Sequence, residues 1–378
     1  NTNKKRATQK EVYEWCLNEL EEAAKVIPNK SNYLSSTDNL EQDGIPCYLV
    51  QDYCYAVRAR ILLEMHRYQD AITEVDRFID NYPLGEPSVD GLKKLWITED
   101  SPEIMIKTYA TTKVGRVSGI LHGLWIYDNI DGNTGKPIQY ELASPTWFPN
   151  QYLIDLYRNS MDPQDPADSK NDIRGTVWLE DTDQHAGTNG WPVLYGEISG
   201  DESITFVSKF RGNPALNRNE AKNQFSYAHT THLFDIAEAY LIKAEAQAWK
   251  GDVAGAKKTI EKLRVARGLT DQLINADTQE AMKQIVMDER TREMIGMGTR
   301  MTDLKRWNMP MSRKGKGIQK LLLSDPYGPR EIYVHDKKEF MDLEVSPDNP
   351  EFIWELPVQD RNTLPDLEEN WPDPDKKK

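Results

Sequence analysis

Residues 53–81 and 233–267 each read as two amphipathic helices joined by a tight turn, and the two units superpose without a gap. With Ala71 laid on Ala256, Tyr55 falls on Tyr240, Ala59 on Ala244, Val75 on Ile260 and Phe78 on Leu263. Small residues at these positions let two backbones cross closely, while the large ones fill the groove beside the crossing. The punctuation agrees. In the first unit the spacing predicts helices over 53–65 and 68–81, closed by Tyr82-Pro83. In the second it predicts helices over 233–250 and 253–267, with Gly251 as C-cap, Asp252 as N-cap and Gly268 as terminator. A chain with this pattern is committed to stacked helical hairpins.

The alternation of small and large residues, with Pro83 twelve residues past Ala71, resembles the tetratricopeptide pattern. Two such units are too few to bury their own faces, so other parts of the chain must cover them. A helix from Thr8 is expected, with Thr8 and Glu11 spaced as a capping box and Val12, Trp15, Cys16, Leu20, Ala23 and Ala24 on one side. Helices are also expected from Thr278 to Trp307, followed by an irregular Pro-rich tail over 309–378.

Residues 83–231 lose this periodicity. Asp131-Gly132-Asn133-Thr134-Gly135 and Thr188-Asn189-Gly190 read as turns, and 204–210 as a short strand. Long irregular segments in a compact fold usually carry function. This one is rich in Trp and Tyr, as is the chain as a whole, with ten Trp and seventeen Tyr against eight Phe. Such side chains join an apolar face to a polar edge and suit amphipathic ligands. The candidate ligand residues are Trp125, Tyr127, Trp147, Trp178, Trp191 and Tyr195, with Asn129, Asp131 and Asn189 as hydrogen-bonding neighbours.

A formal charge of −14 argues against nucleic acid as a partner, and no apolar run is long enough to span a bilayer. Three cysteines, Cys16, Cys47 and Cys54, are too sparse for a disulfide framework. His229-Thr230-Thr231-His232 could set two imidazoles on one helical face, but nothing nearby completes a metal site. The Gly and Glu positions of 129–141 do not match a calcium loop. No metal or cofactor is expected. Motifs for a nucleophilic serine, a phosphate loop, a zinc protease or a dinucleotide are absent, so the reading is not an enzyme.

The segment from Asp288 to Asn308 reads DERTREMIGMGTRMTDLKRWN. It resembles the signature of the SusD/RagB family, an E-R-x-x-E helix running into G-x-R-x-x-D-L-x-R-W, at Glu289, Arg290, Glu293, Gly298, Arg300, Asp303, Leu304, Arg306 and Trp307. The helix at 11–28, both hairpins and the "FIWELPVQD" segment at 352–360 follow in family order. The closing segment 364–372 keeps the family pattern only loosely. Within the signature, Glu289 and Glu293 lie one turn apart, Arg290 and Arg300 can bridge carboxylates, and Trp307 can stack on an arginine, which makes the signature a packing device.

The resemblance implies a mostly α, SusD-like fold over 1–378. Hairpins at 1–82, and at 232–308 together with the signature helix, would support the loop-rich ligand region at 83–231. It also implies a lipoprotein on the outer face of the outer membrane that captures oligosaccharide or polysaccharide for a SusC-like TonB-dependent transporter. The anchoring cysteine and further helices, which in family members precede the helix at residue 8, are not present in this chain. A peptide or other nutrient, or a pure protein-interaction scaffold, are the competing readings.

Overall fold

The computed structural model describes residues 7–36, 40–111, 117–118, 125–130, 137–143, 149–158, 172–181, 197–198, 205–210, 212–216, 228–269, 274, 276–314, 320–325, 328–333 and 343–349. The first helices are α1 (Gln9–Val26), α2 (Lys30–Ser35), α3 (Gln51–Glu64), α4 (Tyr68–Asp76) and α5 (Val89–Trp96). Then come α6 (Gln151–Arg158), α7 (Ile173–Val177), α8 (Ile236–Lys250), α9 (Val253–Ala266), α10 (Gln279–Glu293) and α11 (Arg300–Arg306). The chain is mostly helical, as its sequence implies.

Local chemistry sets the helix ends. At α1 the Glu11 amide donates to Thr8 Oγ1 and the Thr8 amide donates to the Glu11 carboxylate, which is the expected capping box. Between α8 and α9, Gly251 takes φ +87° and Asp252 accepts from the Gly255 amide. The helix expected over 68–81 ends at Asp76, and Ile79–Asn81 forms a separate 3₁₀ turn.

The paired positions lie where the two hairpins predict. Ala59, Ala71, Ala244 and Ala256 are all 0% exposed, and Val75, Ile260, Phe78 and Leu263 are buried with them in one apolar cluster. α4 and α3 both pack on α8, so hairpins far apart in sequence form consecutive layers of one stack. α1 covers α3 at one end, and α10 covers α8 and α9 at the other. These are the neighbours that two isolated units require.

Four sequence expectations change. Leu233 belongs to a strand, not to the helix: His232–Asp235 pairs antiparallel with Ile104–Lys107, and the helix begins at Ile236 behind an extended Asp235. Cross-strand pairing with a distant segment outweighs the local helical pattern. For the same reason His229 and His232 sit in strands, not on a shared helical face. The stretch 83–231 also holds α5, α6 and α7, and the tail beyond 309 holds the antiparallel pair Lys320–Asp325 and Gly328–Tyr333. The strand expected over 204–210 is present as Thr205–Val207, paired with Leu179–Asp181.

α5, α7 and these strands close a second apolar cluster that includes Leu92, Leu95, Trp96, Tyr157, Trp178 and Phe210. Gly296, just past α10, has φ +75°, and a Cβ there would enter the Phe210 ring, so glycine alone fits where the two clusters meet.

Candidate functional site

Four arginines and four carboxylates fill the seam between the helical stack and the second cluster. Arg174 of α7 meets Asp172 at 2.7 Å, Glu289 at 2.7 Å and Glu293 at 2.9 Å, the last two on α10. Arg267 grips Glu103 through a fork of 2.8 and 2.7 Å and reaches Glu293 at 2.8 Å. Arg264 and Arg292 complete the set on Glu289, at 3.1 and 2.8 Å. Arg174 and Glu289 are 0% exposed. Buried charges persist only when paired this completely.

Burial alone would raise the Glu289 carboxyl, but the guanidiniums of Arg174, Arg292 and Arg264 overcome it and hold the group at about 2. A carboxyl with a folded pKa below its unfolded value near 4.5 contributes stability above pH 4.5, and that stability is lost as pH falls toward 2. About 3 kcal/mol is expected to disappear between pH 5 and pH 2, read as the shift of the urea midpoint, and Glu289→Gln should flatten that dependence.

The same seam holds Lys209. Its ammonium donates to the Glu293 and Ile295 carbonyls at 2.8 and 3.3 Å, and lies 4.4 and 4.3 Å from the ring centroids of Trp96 and Trp178. Burial pushes it down to about 7. Trp178, expected as a ligand platform, is 0% exposed, and its indole is packed into the second cluster. It is corrected to a packing residue.

The second half of the signature ties α11 to the stack. Arg306 forks onto Glu245 at 2.7 and 2.9 Å and also binds Asp303 and Glu64. Trp307 donates to Glu245 at 2.8 Å and stacks on Trp249. Arg290 donates to Asp303 at 2.8 Å. Arg300 donates to Thr291 at 2.9 Å and lies 5.9 Å from the Trp307 ring.

Beside this network a cleft of about 520 Å³ opens between α1, α3, α5, the start of α8 and the end of α10. Such a volume suits a small ligand. Tyr13, Tyr53, Trp96, Arg290, Met294, Met297 and Thr299 are among the residues that line it.

Three of the remaining expected ligand residues fall on a described strand. Trp125, Tyr127 and Asn129 occupy alternate positions of the strand Trp125–Ile130, which pairs antiparallel with Pro137–Ala143, opposite Ala143, Glu141 and Gln139. Asp131, Trp147, Asn189, Trp191 and Tyr195 lie outside the described residues.

A helical stack of this construction, carrying this signature, matches the family model described as SusD family over residues 148–372, more than half of the chain. The chain belongs to the SusD family. Its fold is similar to a SusD-like protein from Bacteroides fragilis, at 18% identity with TM-score 0.64, covering 97% of this chain and 71% of that one. It is also similar to a SusD-like carbohydrate binding protein from Bacteroides vulgatus, at 17% identity with TM-score 0.58, covering 97% and 67%. Surface glycan-binding protein A from Bacteroides uniformis gives 16% identity and TM-score 0.56, covering 96% and 69%. No curated protein matches.

Within this SusD-family chain the signature residues join a seam whose other half, Asp172, Arg174, Lys209 and Arg267, the sequence reading did not single out. The available signal was weak: acidic and basic residues near Gly175 and Gly268 resemble ordinary cap chemistry. Among the described residues no helix is long and apolar enough to cross a membrane.

Proposed function

We propose that this chain is a non-catalytic capture protein for oligosaccharide or polysaccharide at the cell surface, seated on a TonB-dependent outer-membrane transporter to which it delivers its ligand. The observation that supports the reading is the antiparallel hairpin of Trp125–Ile130 and Pro137–Ala143, in which Trp125, Tyr127 and Asn129 fall at alternate positions. Sugar rings present C–H faces that stack on Trp and Tyr, and their hydroxyls exchange hydrogen bonds with Asn and Asp. Asp131, Trp147, Asn189, Trp191 and Tyr195 would extend that surface. The names of two relatives, a carbohydrate binding protein and a surface glycan-binding protein, support the ligand class.

Affinity electrophoresis against a panel of soluble polysaccharides tests this. The protein should be retarded by at least one glycan without release of new reducing ends, and Trp125→Ala with Tyr127→Ala should weaken that retention roughly tenfold or more. Retention unchanged in the double variant would move the site elsewhere. Cleavage would make the protein an enzyme, and no retention by any glycan would favour a peptide ligand.

A further inference from the structure

A second recess, of about 590 Å³, opens where the connection between α1 and α2 meets the start of α3 and the turn after α4. Its charged lining is two cations and one carboxylate: Lys30, Arg77 and Asp52. Neither cation is committed. Lys30 is partly exposed, so solvent reaches its ammonium, which makes no hydrogen bond or ion pair among the described residues and rests 4.3 Å from the Tyr82 ring centroid. Burial pulls that ammonium below the usual lysine range, and the Asp52 charge offsets only part of the cost. Arg77 lies 4.7 Å from the Tyr55 ring centroid and approaches Glu74 at 3.5 Å and Glu21 at 3.9 Å. Arg58 holds both of those carboxylates more closely, at 2.8 and 3.2 Å. Asp52, the one carboxylate of the lining, is 5% exposed and accepts from the Asn81 side chain at 3.2 Å.

The neutral lining is only half used. The Asn29 oxygen accepts from the Asn32 amide, the Gln51 side chain donates to the Ala24 carbonyl, and the Asn81 side chain donates to Asp52. The Asn29 amino group and the Ser31 hydroxyl are left as donors, and the side-chain oxygens of Gln51 and Asn81 as acceptors. We infer that this recess is a second ligand site, built from residues other than the aromatic hairpin, that takes a hydroxylated carboxylate, an acidic sugar unit. Its carboxylate would accept from Lys30 and be balanced by Arg77, while its hydroxyls exchange hydrogen bonds with Asn29, Ser31, Gln51 and Asn81. A bare anion would leave the two acceptors unmet, and a neutral sugar would leave the cations without a counter-charge. In a chain of formal charge −14, two uncommitted cations beside one another in a recess mark where an anion can be held. The sugar half of the assignment rests on the glycan reading; the anionic half rests on the recess alone.

Binding of glucuronate and galacturonate to the whole chain is measured by saturation-transfer NMR and calorimetric titration at constant ionic strength, beside glucose, galactose and acetate. Two variants accompany the wild type, with thermal melts to establish that both fold. Lys30→Met removes the charge and keeps an apolar stem against Tyr82, and Ser31→Glu, at an exposed position of the lining, sets a competing carboxylate in the recess without entering the core. At least one uronate should bind, roughly tenfold tighter than its neutral parent and than acetate, and be weakened roughly tenfold by Lys30→Met and further by Ser31→Glu. A neutral polysaccharide retained on gels by the wild type should be retained equally by both variants. Uronate affinity that both variants leave unchanged, or equal affinity for the neutral parent, overturns the recess site and leaves the glycan reading standing. So does the absence of any uronate binding while polysaccharide retention persists. Acetate bound as tightly as the uronates overturns the sugar half of the assignment. Uronate binding that both variants weaken, with no polysaccharide retained, upholds the recess and overturns the hairpin as the polysaccharide site.

Discussion

Replacing Arg174 by methionine is expected to lower the free energy of unfolding by about 3–5 kcal/mol, because it strands buried carboxylates rather than merely deleting a contact. Asp172 would lose its guanidinium partner while remaining 0% exposed, and its role would shrink to capping α7. Glu289 and Glu293 would each keep arginines, but would lose the group that joins α7 to α10. The urea midpoint at pH 7 measures the loss. Adding Asp172→Asn to the variant should recover part of it, since the residual cost lies in an unpaired buried charge. A loss below about 1 kcal/mol would mean that water already enters the seam.

Ala244→Phe is the second large effect. Ala244 is 0% exposed in the middle of α8, the helix that touches α3, α4, α9 and α10. Overpacking such a crossing typically costs about 1–3 kcal/mol, and this position should fall at the upper end because helices on several sides must move together. The matched substitution in the other hairpin, Ala59→Phe, should cost less, since among the described residues α1 is the main helix packed on α3 away from α4 and α8. Equal costs at both positions would contradict the asymmetry of the stack. Thermal melts of the two variants side by side give the comparison.

What the sequence disclosed was local. The Thr8–Glu11 box and the Gly251-Asp252 junction were legible because each depends on residues within four positions. The alanine crossings were legible because the same spacing occurs twice. α5 could have been read too, since Ser88 caps it and Val89, Leu92, Leu95 and Trp96 follow at helical spacing, but the Gly and Pro around it obscured the pattern. Leu233 and Trp178 were not legible. Leu233 is drawn into a strand by Ile104–Lys107, and Trp178 is enclosed with Trp96 and Phe210 beside an ammonium from Lys209, all brought together only by the tertiary fold.

Arg60 on α3 donates to Glu238 on α8 across 178 positions of chain. The span between these layers is therefore a closed loop whose two ends are pinned by the frame itself. Closing a flexible loop grows costlier only with the logarithm of its length, by about 0.6 kcal/mol for each doubling. The connections between the seam residues can therefore lengthen at small expense to the scaffold, while Arg174 and the other seam residues between the pins cannot be exchanged so cheaply. Length can then change in those connections while the helices of the frame stay as they are.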